Sequence, residues 1–527
     1  MKIFKALAAL AVSAAFCLGA AACGEKVDPG RATAETGEIT IRIVDKGYGT
    51  DWLYQIADAY MAVTPGCTVK IIESQDSGAV SSRAQSASND ADIIVSTDSL
   101  YGMQLDEYLY DISDVYDSVQ DGYEKPLKDR MNQSFRDYFE TADGKFYQMS
   151  WVESYSGYMY NKTVLDEVYG AGKYDLPKTT DELIAMCKDL KENHADIDPI
   201  ALSQSMSYYD LIKYTWFAQY LGMEKYNNML RGYYLNDAGE YVPCETVEQF
   251  KKMISAEGRT KVYEAIFELL RNYSHSESDK MNFTDSQNAF LGLGYGTNMT
   301  KCAFYLIGDW FLTEMASAIQ SSGADVRYMK TVVLSDMAST LEDPLEDTEL
   351  STLIGFIDEG KTYEEVKAES GWSGLSENDY DRVYESRYAN YSSGMDHVLA
   401  VPRLRAGGGQ YNLAMKFLKY MVSDEAQAIY VQAQDGLTMP YGYTLERAEE
   451  DYGLTFSETA KSISEAKGES SVLITRGGNS LFARSFPLYV GYIEKDAVSG
   501  TFASAADAIA SVDNSYNPEN SLALIAK

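Results

Sequence analysis

The sequence predicts an α/β protein whose chain folds into more than one lobe. The chain has 527 residues, which is more than one typical domain core accommodates. Predicted strands and helices alternate near the start of the chain, and a second strand and helix are predicted at 302–319. Such alternation is typical of sheets covered by helices, so we expect at least two lobes of this kind.

The first predicted unit begins at Ile39. Isoleucines alternate over 39–43 as in a strand, and apolar residues take helical spacing from Asp51 onward. Further strands are predicted at 68–72 and 92–95. This β-α-β-α-β order predicts a parallel sheet with right-handed crossovers.

A second unit is predicted around Trp310. The six apolar residues 302–307 predict a strand that is buried on both faces, as in a parallel sheet. Gly308 ends the run, Asp309 is the expected N-cap, and a helix is expected to continue to Ile319. Ligands of α/β sheets bind just past the carboxyl ends of strands. Trp310 is therefore either a core residue of this turn or a stacking platform for a ligand.

The N-terminus has the pattern of an export signal. Residues 1–22 combine a positively charged start with an apolar segment at 7–18, which is too short to span a membrane. Three alanines then precede Cys23, an arrangement that resembles the bacterial lipoprotein signal, in which this cysteine carries lipid. The alternative is an ordinary signal peptide that is cleaved nearby. Residues 23–38 are small and polar and predict a flexible tether.

The composition excludes several classes of function. A formal net charge of −34 opposes binding to nucleic acids and to anionic lipid surfaces. The cysteines beyond the signal region are scattered and form no CxxC pair, so we do not expect a zinc site, and a disulfide cannot be read from their spacing. No cofactor is predicted. The chain has 42 tyrosines and 18 phenylalanines, and tyrosine offers sugars both a flat ring and a hydroxyl group. A tyrosine-rich composition also occurs in proteins without a ligand.

The middle and late parts of the chain add further motifs. Residues 144–162 predict two β-prone segments around a polar, aromatic centre, and a capping box begins at Thr179. Residues 337–392 are acidic and rich in Tyr and Ser, which predicts a surface insertion with short helices. A strand is expected at 397–401 and an apolar-faced helix at 413–422.

Taken in order, these motifs resemble the extracellular solute-binding proteins of ATP-driven sugar importers, the maltose-binding type. The resemblance runs from about Ile39 to Tyr443, and it depends on the ordered set rather than on one motif. The segments that carry it are GKFYQMSWVESYSGYMYNK at 144–162, LPKTTDELIAMCKDL at 176–190, NAFLGLGYGTNMTKCAFYLIGDW at 288–310 and AMKFLKYMVSDEAQAIYVQAQDGLTMP at 414–440.

The resemblance implies two α/β lobes that are joined by crossover segments, with a ligand cleft between them. The first lobe would comprise 39–152 and 327–436, and the second lobe 153–326 and 437–527. The acidic insertion at 337–392 departs from the shorter members of the family, and it would shape one wall of the cleft.

In that arrangement Trp310 would face the cleft. Its flat aromatic face could then meet the C–H-rich face of a sugar ring. Carboxylates and amides would take the hydroxyl groups of the sugar. Each candidate also has a structural interpretation: Asp51 and Asp98 suit helix N-termini, Trp52 suits a core, and His397 suits a satisfied interior position. The resemblance implies as ligand-binding residues Tyr48, Asp51, Trp52, Asp98, Trp151, Glu153, Tyr155, Asp309, Trp310, Asp396 and His397.

The resulting hypothesis is a lipid-anchored binding protein, not an enzyme, at the extracellular face of the cell membrane. It would deliver a carbohydrate, expected to be an oligosaccharide, to the permease subunits of an importer. One alternative is a surface-anchored glycan hydrolase, because a chain with 79 Asp and Glu residues can supply two catalytic carboxylates. No GxSxG or HExxH motif occurs. Another alternative is a binding protein for a peptide or a polyamine.

Overall fold

A computed structural model describes residues 35–203, 208–230, 232–254, 258–369, 371–407, 410–468, 473–474, 493–515 and 519. The predicted signal peptide, Cys23 and residues 23–34 of the predicted tether lie outside the described residues, and the last two tether residues, 37 and 38, belong to the first strand. The predicted α/β fold class is confirmed, since strands and helices alternate through both lobes.

The strands are short and mostly buried. They are β1 Gly37–Val44, β2 Cys67–Ser74, β3 Ile93–Ser96, β4 Met149–Ser150, β5 Ser156–Asn161, β6 Tyr233–Leu235, β7 Tyr241–Pro243, β8 Phe304–Gly308, β9 Val326–Tyr328, β10 Asn390–Tyr391, β11 Val398–Ala400 and β12 Leu473–Ile474.

The helices cover the sheets and also form a layer of their own. They are α1 Asp51–Val63, α2 Ser77–Ala84, α3 Tyr101–Leu105, α4 Ser113–Tyr116, α5 Gln133–Phe139, α6 Lys162–Tyr169, α7 Thr180–Asn193, α8 Tyr209–Leu221, α9 Met223–Leu230, α10 Val247–Ile254, α11 Gly258–Tyr273, α12 Phe283–Phe290, α13 Phe311–Glu314, α14 Ala316–Ser322, α15 Asp347–Asp358, α16 Tyr363–Ala368, α17 Glu377–Tyr388, α18 Tyr411–Met421, α19 Asp424–Ala433, α20 Leu445–Tyr452, α21 Glu458–Lys467, α22 Ile493–Ser499 and α23 Ala505–Ser515. Short 3-10 turns lie at Leu127–Asp129, Ser335–Thr340 and Ser393–Met395.

The first lobe is built on a sheet with the strand order β2-β1-β3-β11-β4. Strands β2 and β3 both pair with β1 in parallel, which confirms the predicted β-α-β-α-β unit. Strand β11 pairs with β3 in the antiparallel sense, with Val398 opposite Ser96. The start of β11 and the carboxyl ends of β1 and β3 therefore lie along the same edge of this sheet.

The second lobe contains a sheet with the order β8-β5-β9. Strand β8 is fully buried, as its apolar run predicts, but it runs antiparallel to β5, so the expected parallel pairing is wrong. The reason is that burial on both faces determines only the composition of a strand, and the direction of its neighbour depends on how the chain enters the lobe. Here β5 enters from the first lobe, with Ser156 opposite Gly308.

The helix predicted after β8 differs from the one observed. It is broken at Met315 into α13 and α14, and Trp310 rather than Asp309 occupies the N-cap position. Asp309 does not cap this helix, because its carboxylate accepts hydrogen bonds from Tyr48 and from the backbone of Tyr155. A tertiary contact thus replaces the local cap.

Three segments meet where the lobes join: 150–155, 392–395 and 436–440. The Ser154 and Ser392 hydroxyls lie 3.0 Å apart, and the Gly394 amide donates to Ser154 Oγ at 3.0 Å. The backbone amide of Glu153 donates to the Thr438 carbonyl at 2.7 Å. We refer to these three segments as the hinge layer.

The lobe boundaries differ from those implied by the resemblance after the first crossing. Strand β9 lies in the second sheet, and Trp216 of α8 donates to the Val332 carbonyl at 2.9 Å, so the chain stays in the second lobe beyond 327. It returns only after β10. Helix α20 packs on α19 of the first lobe, whereas α21 binds β9 through Thr459, so the last crossing lies between these helices rather than at 437.

Apolar side chains form three buried clusters. The first fills the first lobe and continues onto one face of the second sheet, and the second covers the other face beneath α8 and α11. The third cluster lies among α15, α16 and α17, the region predicted as an insertion. That region packs on the second lobe, where Gln219 donates to the Ser386 carbonyl at 2.8 Å.

The hinge layer depends on a glycine at 394. A methyl group at this position would lie 2.1 Å from the Val152 carbonyl oxygen and 3.0 Å from Phe135. Because a backbone atom cannot yield cheaply, we expect Gly394→Ala to lower the free energy of unfolding by about 2–3 kcal/mol or more in denaturant titrations. Gly374→Ala is the control, since its nearest neighbour would be 3.9 Å away. Equal stabilities for the two variants would contradict this account.

Candidate functional site

The edge of the first sheet brings together three of the predicted ligand-binding segments. The 45–50 loop follows β1, Asp98 follows β3, and Asp396 and His397 precede β11. They converge because β1 and β3 are parallel while β11 runs the opposite way. Asp98 is exposed, and its charge acts on His397. Asp396 and His397 are half-buried.

An aromatic cluster forms the floor behind this edge. Tyr48 lies 5.4 Å from Trp151 and 5.2 Å from His397 between ring centroids, both in edge-to-face geometry. Trp52 stacks on Trp151 at 5.1 Å. The Trp151 indole donates to the Ser96 carbonyl at 3.3 Å, so this cluster is tied to the end of β3.

His397 is held neutral. Burial lowers its pKa to about 4, and its Nδ1 donates to the Ser393 carbonyl at 2.7 Å. The Nε2 atom is therefore an acceptor at neutral pH. His397 Nε2 and the nearby Asp98 carboxylate are both hydrogen-bond acceptors. They therefore suit a ligand whose hydroxyl groups donate hydrogen bonds.

Trp310 lies between the two lobes. Its ring folds back over Gly308, where a methyl group would lie 1.9 Å from Trp310 Cζ3. From the first lobe, Tyr48 approaches its ring to 6.3 Å between centroids, and a methyl group at Gly47 would lie 3.3 Å from Trp310 Cβ. The indole is half-buried and packs against both the first and the second cluster.

Sequence analysis missed two aromatic neighbours of Trp310. Tyr208 lies 6.0 Å from Trp310 between ring centroids, and Phe283 lies 5.2 Å from Tyr208. Both rings are half-buried. Each stands at the start of a helix, α8 or α12, and a helix start by itself does not show which way a ring points. The three rings form a continuous aromatic surface on the second lobe.

Asp309 is fully buried beneath Trp310. Its Oδ1 accepts from the Tyr48 hydroxyl at 2.6 Å, and its Oδ2 accepts from the Tyr155 amide at 2.7 Å. Burial raises the pKa of Asp309 to about 6, although both hydrogen bonds favour the ionised form. Burial, together with the Asp309 carboxylate, raises the pKa of Tyr48 well above its usual range, so Tyr48 stays protonated and donates.

The predicted ligand-binding residues therefore separate by burial. The side chains of Tyr48, Trp52, Trp151, Tyr155 and Asp309 are almost fully buried and support the floor, so they offer a ligand no surface in this conformation. Asp98, Trp310, Asp396 and His397 keep accessible surface. Asp51 is exposed in the first turn of α1. Glu153 lies apart from them, facing Asn132, Thr438 and Lys467.

Two negative observations apply to the described part of the chain. Its residues contain no group of three or more His, Cys, Asp and Glu side chains that could hold a metal ion. Its helices include none that is both long and apolar enough to cross a membrane. The four cysteines Cys67, Cys187, Cys244 and Cys302 are buried and free.

The raised pKa of Asp309 predicts a pH-dependent contribution to stability. A carboxyl group whose pKa rises from 3.8 to about 6 on folding stabilises the protein fully below pH ~3.8 and loses this contribution as pH rises through ~6. We therefore expect the free energy of unfolding of the wild type, relative to Asp309→Asn, to fall between pH 4 and 7. The fall is on the order of 2–3 kcal/mol, since one pKa unit is worth about 1.4 kcal/mol. Denaturant titrations at several pH values measure it, and a flat or rising difference would contradict the assignment.

Solved structures with similar folds are numerous, and 577 chains match. RafE, known from Streptococcus pneumoniae, in complex with raffinose is 14% identical, with a TM-score of 0.57 over 92% of this chain and 99% of RafE. The GacH receptor of Streptomyces glaucescens, studied unliganded and with acarbose, is 15% identical, with a TM-score of 0.56 over 91% and 97%. A chitin oligosaccharide binding protein is 12% identical, with a TM-score of 0.54 over 93% and 100%. At these identities the likeness establishes the fold.

The sequence comparison matches part of the chain to a family model. Residues 55–301 match the model of the bacterial extracellular solute-binding proteins, which are receptors rather than enzymes. No curated protein matches the chain. The family match and the two-lobed fold agree with the resemblance that the motifs indicated. Residues 55–301 thus have the sequence pattern of the bacterial extracellular solute-binding proteins, and nearly the whole chain is similar in fold to solved structures of two-lobed binding proteins.

Proposed function

We propose that this protein captures an oligosaccharide in the cleft between its lobes and delivers it to the permease subunits of an ATP-driven importer. The observation that carries the proposal is the aromatic surface of Trp310, Tyr208 and Phe283 beside the cleft. Aromatic faces bind the apolar faces of sugar rings, and a surface of several rings suits more than one sugar unit. From the first lobe, His397, whose ring lies 5.2 Å from that of Tyr48, and the exposed Asp98 carboxylate would supply acceptors for sugar hydroxyls, together with Asp396.

Two further points support a carbohydrate over a peptide or a polyamine. The structural neighbours bind raffinose, acarbose and chitin oligosaccharides. A polyamine site needs carboxylates that are free to meet ammonium groups, whereas the most deeply buried carboxylate near this cleft, Asp309, is already bound by Tyr48 and Tyr155. The site thus offers rings and a few acceptors rather than a concentrated negative charge.

A panel of glycans tests the proposal directly. Raffinose, acarbose, maltotriose and chitin oligosaccharides are mixed with the protein, and melting temperature and product release are both followed. We expect at least one glycan to raise the melting temperature by binding to the folded state, with no product formed. Small-angle scattering with that glycan should show a smaller radius of gyration, because two lobes close on a ligand by hinge motion. Turnover of a glycan would favour the hydrolase instead.

Trp310→Ala tests the centre of the site. If the indole stacks on a sugar, the variant loses about 1–3 kcal/mol of binding free energy, which lowers affinity roughly tenfold to a hundredfold in calorimetric titrations. The Trp310 ring is only half-buried, so the melting temperature of Trp310→Ala should fall less than that of Trp216→Ala. The Trp216→Ala variant loses a fully buried ring from the core of the second lobe.

Trp372→Ala is the matched control for affinity, because Trp372 packs on Phe356 in the third cluster, away from the cleft. Near-normal affinity of Trp310→Ala together with a large loss of melting temperature would show that Trp310 is a core residue. The proposed site would then lack its central ligand contact.

We also propose that Cys23 carries a lipid anchor that keeps the receptor at the membrane. The support is the apolar segment of residues 7–18 followed by small residues before Cys23. Cys23→Ser should shift the protein from the membrane fraction to the soluble fraction, as fractionation and immunoblotting would show. Mass spectrometry of the wild-type N-terminus provides the control, and an unmodified cysteine there would contradict the proposal.

A further inference from the structure

A cavity of about 790 Å³ lies where residues 130–134 and 436–446 of the first lobe face the end of α21. Helix α21 belongs to the second lobe, because Thr459 donates to the Val326 carbonyl and the Tyr328 amide donates to Ser462. The cavity therefore opens between the two lobes. Of the predicted ligand-binding residues it contains Glu153 alone.

The partners of adjacent residues on the first crossing separate the cavity from the cleft floor. On the cleft side, the Tyr48 hydroxyl lies 3.4 Å from Ser393 Oγ, and Ser393 Oγ lies 3.0 Å from Ser154 Oγ. On the other side, the backbone of Glu153 bonds to Thr438, which lines the cavity. Ser154 and Glu153 are adjacent in the chain but bond to these two different sets of partners, so Glu153 and the cavity are placed on the far side of the hinge layer from the cleft.

The Glu153 carboxylate is fully engaged there. Its Oε1 accepts from the Asn132 amide at 2.9 Å, and its Oε2 accepts from Thr438 Oγ1 at 3.3 Å and from Lys467 Nζ at 3.1 Å. Lys467 Nζ also donates to the Glu153 carbonyl at 2.9 Å and lies 3.4 Å from Thr438 Oγ1. The side chains of Lys467 and Glu153 are 11% and 17% exposed, so this ion pair is largely shielded from solvent.

These contacts join the two lobes. Lys467 is the last residue of α21 in the second lobe, Thr438 belongs to the first lobe, and Glu153 lies on the first crossing between them. Closing a cleft about a hinge draws the cleft surfaces together and moves the surfaces behind the hinge apart. Closure therefore lengthens the distance from Lys467 to Thr438 and Glu153.

We propose that Glu153 and Lys467 form a tether behind the hinge that favours the open cleft and so sets the affinity for ligand. Glu153 is then a positioning residue and does not touch the ligand, unlike the role that the resemblance implies for it. This inference rests on the proposed function, because it describes the regulation of the same cleft. Ligand binding must break or stretch the tether, and part of the binding energy is used for that purpose.

Substitution of either end distinguishes a tether from a ligand contact. If Glu153 binds the sugar, Glu153→Gln weakens binding; if it holds the lobes apart, Glu153→Gln and Lys467→Met both tighten binding. We expect tightening by about three- to tenfold, which is modest because the net contribution of one hydrogen-bonded ion pair is small even where it is shielded from solvent. The double variant should resemble Lys467→Met alone, since both changes remove the same contact. Lys467→Arg should restore wild-type affinity, because a guanidinium can still donate to both partners.

The matched control is Lys461→Met on the same helix, where Lys461 pairs only with Glu458 at 3.3 Å and is 45% exposed. Calorimetric titration with raffinose or a chitin oligosaccharide, whichever binds the wild type, gives the affinities. Unchanged or weaker binding in Glu153→Gln and Lys467→Met would overturn the tether.

A ligand-free measurement keeps this result separate from the proposed function. Small-angle scattering of the unliganded variants should show a smaller radius of gyration than the wild type, since more molecules close without the tether. If the wild type binds none of the glycans, the proposed function fails and the tether is judged by this measurement alone. An unchanged radius in both variants would then overturn it.

Discussion

The buried Asp309 carboxylate is the contact on which the geometry of the cleft floor depends. It comes from the end of β8 in the second lobe, and it binds Tyr48 of the first lobe and the backbone of Tyr155 on the first crossing. Burial of a charge is costly unless every acceptor is used, and here both oxygens are bound. Tyr48 in turn contacts Trp151 and His397, so the aromatic cluster is aligned with the second lobe through this carboxylate.

Trp310 owes its position to the two residues before it. Asp309 is held by its hydrogen bonds, and Gly308 leaves room for the indole to lie across the end of β8. This gives a physical reason for a glycine two residues before Trp310, because any side chain at 308 would occupy the space of the ring. The same ring then meets Tyr208 on its own lobe and Tyr48 on the other. A side chain that touches both lobes can sense their relative position, which is the property that a receptor closing on its ligand requires.

The hinge layer separates two different environments that are one residue apart in the chain. Ser154 bonds to Ser392 and Ser393, on the side of the cleft, while Glu153 bonds to Lys467 and Asn132 behind it. A receptor of this design balances two sets of contacts around one pivot. In the function and the tether that we propose, the cleft side supplies affinity, and the back of the hinge determines how much of the binding energy is used for closure.

Much of this arrangement could be predicted from the sequence. Periodicity gave the parallel unit at the start of the first lobe, burial of the strand at 304–308 followed from its apolar run, and the ordered motifs indicated the family and the two-lobed fold. Local pattern also placed Tyr48, Asp98, His397 and Trp310 after or before strands, where sheet topology then brought them together. Tertiary structure decided the rest.

The antiparallel pairing of β8, the release of Asp309 from helix capping and the second-lobe packing of 329–391 all depend on contacts between residues far apart in the chain. The direction of Glu153 and the approach of Tyr208 and Phe283 to Trp310 depend on them as well. Local preferences are weak compared with a buried hydrogen bond or a close-packed ring. Sequence therefore determined which elements form, whereas long-range packing determined which way their side chains face.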